Sequence, residues 1–179
     1  MADPRIQRTK NHVLAAAGRL LTEDGARRLT YTRLAAEASV SRRTLYVYWP
    51  TIEYLIAEVF SQRELAETPG AEDSTSRQRM TRFLESVRAG LQDPIENAAL
   101  LSLLQEASRG RESHDRLQEI MYTRWNVFSL TVGAIGADNY ALLVGPLFYA
   151  QLVQRIQVTD KLISRQVEFG LRELEPVEV

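Results

Sequence analysis

The sequence predicts an all-α protein, an N-terminal three-helix helix-turn-helix head followed by a larger α-helical bundle, about nine helices in total. Three observations carry this prediction. Apolar residues recur at helical spacing in each segment that can be read, and no stretch alternates convincingly with the two-residue period of a strand. Between Thr30 and Leu55 the pattern breaks into two short helices across a tight turn, rather than one continuous stripe. Charge is also divided: residues 1–60 carry nine Arg and Lys against six Asp and Glu, and the remainder thirteen against seventeen. That asymmetry suits a basic module facing nucleic acid on a neutral-to-acidic body.

The head reads as follows. Asp3-Pro4 is a plausible helix start, an acceptor followed by a ring already set at helical φ. Arg5, Arg8 and Lys10 make a basic lead-in that suits a phosphate strand and equally a solvated terminus. From Lys10 to Asp24, Val13, Leu14, Ala17, Leu20 and Leu21 form one apolar face, and Gly25 ends that helix. Thr30 or Thr32 opens the second helix. Leu34, Ala35, Ala38, Val40 and Leu45 fit two helices packed across a turn at Ser39, with Ser41 as N-cap of the second. With Leu45 facing the core, Arg42, Arg43, Thr44, Tyr46 and Val47 occupy the exposed face and first turn. Two guanidiniums, a hydroxyl, a phenol and a methyl-bearing side chain can grip phosphates and read base edges in a major groove. Thr51 caps a fourth helix, residues 51–66, with Ile52, Leu55, Ile56, Val59 and Phe60 on one side.

Residues 68–76, TPGAEDSTS, are the one break in composition, and they separate a domain at 1–66 from a second at 77–179. In the second, Met80, Phe83, Leu84, Val87 and Leu91 line a helix from Arg77 to Leu91. Asp93-Pro94 opens a Leu-rich helix through Leu104. A long helix from about Ser113 to Ile135 carries Met121, Tyr122, Trp125, Phe128 and Leu130. Asp138 then caps a helix running to about Gln157, kinked where Pro146 removes a backbone donor. The last helix, Thr159 to Leu174, places Leu162, Ile163, Val167, Gly170, Leu171 and Leu174 in period.

Several function classes lose support. Cysteine is absent, and the two histidines, His12 and His114, have no partners at metal-ligand spacing. Glu112, His114 and Asp115 read as a solvated helix start. Gly133 and Gly136 lack the strand context of a phosphate loop, and there is no Gly-x-Ser-x-Gly. No apolar run approaches about 18 residues, and no signal-peptide core is seen. The expectation is a cytoplasmic protein with no catalytic residues, metal, cofactor or membrane contact. Two features of the body remain open. Met121, Tyr122, Trp125 and Phe128 read as packed core or as the lining of a cavity with Gln105, Arg124 and Gln151. Leu143, Val144, Leu147, Phe148 and Leu152, with Ile163, Val167 and Leu171, read as core or as an interface.

Ser41-x-x-Thr44-Leu45-Tyr46 followed by Tyr48-Trp49 and a fresh amphipathic helix resembles the tetracycline-repressor-like (TetR/AcrR) transcription regulators. Val13-Leu14-x-Ala16-Ala17, Leu20-Leu21, Gly25 and Leu34-Ala35-x-x-Ala38-x-Val40-Ser41 agree in order and spacing, so the likeness covers roughly residues 10–60. Three positions depart from the family: Ser39 stands where Gly is usual, Tyr48 where His is usual, and Ile52 where a Lys is frequent. The resemblance implies a one-component, ligand-responsive repressor of double-stranded DNA, with Thr30, Thr32, Arg42, Arg43, Thr44, Tyr46, Val47 and Tyr48 at the DNA. It implies a small apolar effector held by Leu104, Gln105, Met121, Trp125, Phe128 and Gln151. It further implies a homodimer on a palindromic operator, joined through Leu147, Phe148, Leu152, Ile163, Val167 and Leu171. Ser39 and Ile52 motivate the alternative, a helical ligand- or protein-binding dimer whose DNA head is weakened.

Overall fold

A computed structural model describes residues 4–61 and 75–174. Within them lie α1 (Pro4–Asp24), a 3₁₀ turn (Ala26–Arg28), α2 (Tyr31–Glu37), α3 (Arg42–Tyr48), α4 (Ile52–Ser61) and α5 (Ser76–Gln92). They are followed by α6 (Pro94–Ala107), α7 (Arg111–Thr131), α8 (Ala137–Phe148), a π-helical stretch (Tyr149–Gln154) and α9 (Asp160–Glu173). No strand occurs among the described residues. The expected cap Asp3, the end of the fourth helix and most of the expected linker at 68–76 lie outside them. The chain forms two compact units, Met1–Leu65 with Pro94–Ile120, and Ala66–Asp93 with Met121–Val179. Helix α6 and the first half of α7 thus pack with the head, whereas a single cut in the sequence groups them with 77–179.

In the first unit, α1 buries Val13, Leu14, Ala16, Ala17, Leu20 and Leu21 and packs against α2, α4 and α6. The approach to α6 depends on Gly18, where a Cβ would come within 2.7 Å of Ile95 Cγ2. Local signals set the helix ends. Thr30 accepts from the Arg33 amide, Ser41 from the Thr44 amide and Thr51 from the Tyr54 amide, each satisfying a donor that has no intrahelical partner. Between α2 and α3, Ser39 takes φ 51°, the left-handed conformation expected where the family has Gly. Leu34, Leu45 and Leu55 are fully buried and close the core beneath α3.

The second unit packs α5 on α9 and α8. Met80 and Leu84 of α5, Leu143 and Leu147 of α8, and Ile163 and Val167 of α9 fill its core. Phe128 of α7 sits between Phe83 and Tyr140, with ring centroids 4.7 and 5.4 Å away. Helix α7 ends at Thr131, short of Ile135, and Gly133 turns the chain with φ 152°. Asp138 does not cap the next helix. Gly136 holds that position, and Asp138 lies in the first turn, where its charge suits the helix dipole. The segment expected to continue as a kinked helix to Gln157 becomes π-helical at Tyr149 and stops at Arg155, φ 57°. Pro146 offers Leu142 no N–H. The Gln166 amide of α9 compensates, donating to the carbonyls of Leu142 (2.9 Å) and Leu143 (2.7 Å).

Candidate nucleic-acid interface

Helix α3 is two turns long and buries only Leu45 completely, so most of its surface is available to a ligand. Arg42 and Arg43 are exposed and make no ion pair among the described residues. Three other arginines of the head are tied down. Arg19 reaches Glu37 at 3.1 Å, Arg28 reaches Asp24 at 3.3 Å, and Arg33 pairs with Asp24. The Arg33 hydrogen bond holds the Asp24 carboxyl below the usual range for aspartate. Two guanidiniums with no ion pair among the described residues thus lie on α3, beside Val47, which is 68% exposed. That is the arrangement a major groove requires: cationic donors for phosphate and guanine, and a methyl-bearing surface for thymine.

The other sequence-predicted residues divide by role. Thr30 and Thr32 are exposed at the start of α2, and Thr30 also caps it. Thr44 is half-buried, its hydroxyl 2.8 Å from that of Ser41. Tyr46 is 54% exposed and rests its ring on Tyr31, 4.3 Å between centroids. Tyr48 is half-buried, edge-on to Trp49. At the start of α4, Ile52 is half-buried and followed by Glu53, so no cation occupies the place of the family's Lys.

One feature of the head escapes a sequence reading. Trp49, the residue that ends α3, is 1% exposed and is held from three helices. The Tyr31 hydroxyl of α2 donates to its carbonyl at 2.5 Å. Its indole N–H donates to Glu58 of α4 at 2.7 Å, and Lys10 of α1 pairs with the same carboxylate at 2.8 Å. The Lys10 ammonium also lies 5.6 Å from the indole centroid. Burial, with Tyr46 and Glu53 nearby, pushes the Tyr31 phenol up to about 12, so it remains a donor. Lys10, read from sequence as part of a lead-in that suits a phosphate strand and equally a solvated terminus, is engaged with Glu58.

The residues assigned to an effector fall in different places. Leu104 and Gln105 are exposed on α6 in the first unit. In the second, Met121 and Trp125 are half-buried, the Trp125 indole donating to the Ile135 carbonyl at 2.9 Å, while Phe128 is fully buried in its aromatic cluster. Gln151 is half-buried and its Oε1 is shielded from solvent without a hydrogen bond. The residues assigned to an interface divide as well. Leu147, Ile163 and Val167 give their side chains to the core of the second unit and have none to offer a partner. Phe148, Leu152 and Leu171 remain partly exposed. The outward apolar face of this segment is Leu142, Tyr149, Val153 and Ile156, each more than half exposed.

The model of bacterial regulatory proteins of the tetR family matches residues 13–59. Solved structures agree over nearly the whole chain. One is a candidate transcriptional regulator from Streptomyces coelicolor A3(2), with TM-score 0.68 and 17% identity over 94% of this chain and 99% of that one. Another is NalD, the secondary repressor of the MexAB-OprM multidrug efflux pump in Pseudomonas aeruginosa, with TM-score 0.62 and 20% identity over 98% and 100%. A third is a candidate transcriptional regulator from Saccharomonospora viridis in complex with choline, with TM-score 0.62 and 16% identity over 94% and 98%. No curated protein matches the sequence. Among the described residues no helix is long and apolar enough to cross a membrane. Residues 13–59 thus match the tetR family of bacterial regulatory proteins, on a chain whose fold is that of solved transcriptional regulators.

Proposed function

We propose that this DNA-binding regulator is a repressor that holds a palindromic operator as a homodimer and releases it when a small, largely apolar effector binds the helical body. The observation that carries the DNA reading is α3: Arg42 and Arg43 without ion pairs among the described residues, beside an exposed Val47, on a helix capped by Ser41. A helix of seven residues contacts too few base pairs for operator affinity by itself. Two copies reading half-sites about 34–36 Å apart, or a multiple of that, would supply the rest. The apolar face of Leu142, Tyr149, Val153 and Ile156 supports pairing of two chains, and NalD, a repressor in its own organism, supports the repressor reading.

Helix α4 suits the control step. It packs on α1 and α6, and its Tyr54 lies against the Arg116 guanidinium of α7, 3.6 Å from the ring centroid. An effector weakens DNA binding only if it prefers the arrangement that DNA does not, and a coupling of about 1–3 kcal/mol lowers affinity roughly 5- to 150-fold. The buried Gln151 acceptor suits an effector with one donor on an apolar frame, and choline bound to the Saccharomonospora viridis protein is a precedent for small ligands. Selection of sites from a random DNA pool tests the reading directly. Enrichment of a palindrome is expected, and recovery of no sequence preference would refute it. Thermal-shift hits among small apolar compounds should then lower affinity for the selected site.

A further inference from the structure

We propose that Glu58 is a positioning residue for operator recognition: by accepting from the Trp49 indole it fixes the angle at which α3 meets DNA. The inference rests on the DNA-binding reading above. Helix α3 has only seven residues, and its start is anchored locally, through Ser41 and the buried Leu45. Its far end is anchored through Trp49, whose backbone has left the helix at φ −132° and ψ 99°, and through the Tyr46 ring resting on Tyr31. Such a short helix cannot hold its own direction, so the groups that grip Trp49 set its tilt.

Two of those grips differ in kind. The Tyr31 hydroxyl holds the Trp49 carbonyl, and it comes from α2, the helix already joined to α3 by the Ser39 turn. Glu58 holds the other end of the residue, and it comes from α4. Because the carboxylate also pairs with Lys10, it is fixed on both oxygens, with Oε2 on the indole and Oε1 on the ammonium. A hydrogen bond to an ionised acceptor is directional and about twice as strong as a neutral one, which suits a part that sets an angle. Base contacts tolerate little error in that angle. Phosphate contacts from mobile Arg side chains tolerate much more. Losing the Glu58 bond should therefore lower discrimination between sequences before it lowers attraction to DNA in general.

The test uses the full chain, a selected operator duplex and a scrambled duplex of equal length, with fluorescence anisotropy as readout. Glu58→Leu and Trp49→Phe should each reduce operator affinity about tenfold, within the cost of losing one charge-assisted hydrogen bond, and leave scrambled-duplex affinity within about twofold. The double variant should be no worse than either single one, because both remove the same bond. Glu58→Gln keeps an oxygen acceptor for the indole but loses the charge that pairs with Lys10, and should recover most of the preference. If Glu58→Leu is insoluble, Trp49→Phe and Glu58→Gln decide the matter by the same ratio. Equal losses on both duplexes, additive losses in the double variant, or an unchanged ratio would overturn the assignment. A wild-type protein with no sequence preference would overturn the DNA-binding reading itself, and this inference with it.

Discussion

Replacing Gln166 with Leu probes how the second unit tolerates a proline inside α8. In an unbroken helix the Leu142 carbonyl would accept from residue 146, which here is Pro and has no N–H to give. Gln166 supplies that donor from α9, at 2.9 Å to Leu142 and 2.7 Å to Leu143. Leucine keeps the bulk and removes the donor. A buried acceptor left unsatisfied costs about 1–3 kcal/mol. Leu142 is 59% exposed, so water can reach its surroundings, whereas Leu143 is fully buried. A cost near the lower end, about 1–2 kcal/mol, is therefore expected. For a chain of this size that is roughly 2–8 °C in Tm. The decisive assay is a double-mutant cycle with Pro146→Ala, read by thermal unfolding. Alanine restores the backbone donor, so Gln166→Leu should cost little in that background, about 0.5 kcal/mol or less. An equal cost in both backgrounds would refute the claim that Gln166 substitutes for the missing N–H.

Other perturbations follow from particular contacts. Ser39→Gly should raise stability by about 0.5–1 kcal/mol, seen as a higher Tm with unchanged operator affinity, because Ser39 holds φ 51° at a side-chain penalty that Gly lacks. Gly18→Ala should destabilise by about 1–3 kcal/mol, since the new Cβ would sit 2.7 Å from Ile95 Cγ2, and adding Ile95→Ala should cost less than the two changes summed. Arg42→Ala or Arg43→Ala should weaken operator binding by about 1–3 kcal/mol where the guanidinium reads a base, and should flatten the salt dependence where it reads a phosphate. Tyr149→Glu should give a helical monomer by analytical ultracentrifugation, because Tyr149 is 56% exposed on the apolar face, whereas Val167→Glu, placing a charge at a 3% exposed core site, should unfold the second unit.

The head was legible because its signals are local. Thr30, Ser41 and Thr51 announce helix starts within three residues of the amides they bind, and Ser39 falls where a turn must reverse the chain. Once Leu45 is assigned to the core, a helix of seven residues leaves little freedom in which side chains face outward. The hold on Trp49 left no such trace. Lys10, Tyr31 and Glu58 are far apart in the chain, and each alone reads as an ordinary polar position on an amphipathic helix. From sequence Lys10 suits a phosphate strand and a solvated terminus equally, and neither reading foresees its pairing with Glu58.

The body was legible as helices but not as faces. Periodicity puts Leu147 on the apolar side of α8 and Ile163 and Val167 on that of α9, but such a side is equally apolar whether it meets its own chain or a second copy. Helix α8 adds a further difficulty. A π-helical stretch uses more residues per turn than an α-helix, so positions after Phe148 no longer follow the i, i+4 rule used to align them. Tyr149 and Val153 emerge on the outside, while Leu152 is half-buried. The effector site meets the same limit. Phe128 and Trp125 lie one turn apart, yet one is fully buried among Phe83 and Tyr140 and the other donates to a loop carbonyl. Spacing along α7 fixes only the direction in which these rings leave the helix. Whether they enclose a cavity depends on side chains from α5 and α8, and therefore on packing that no single helix encodes.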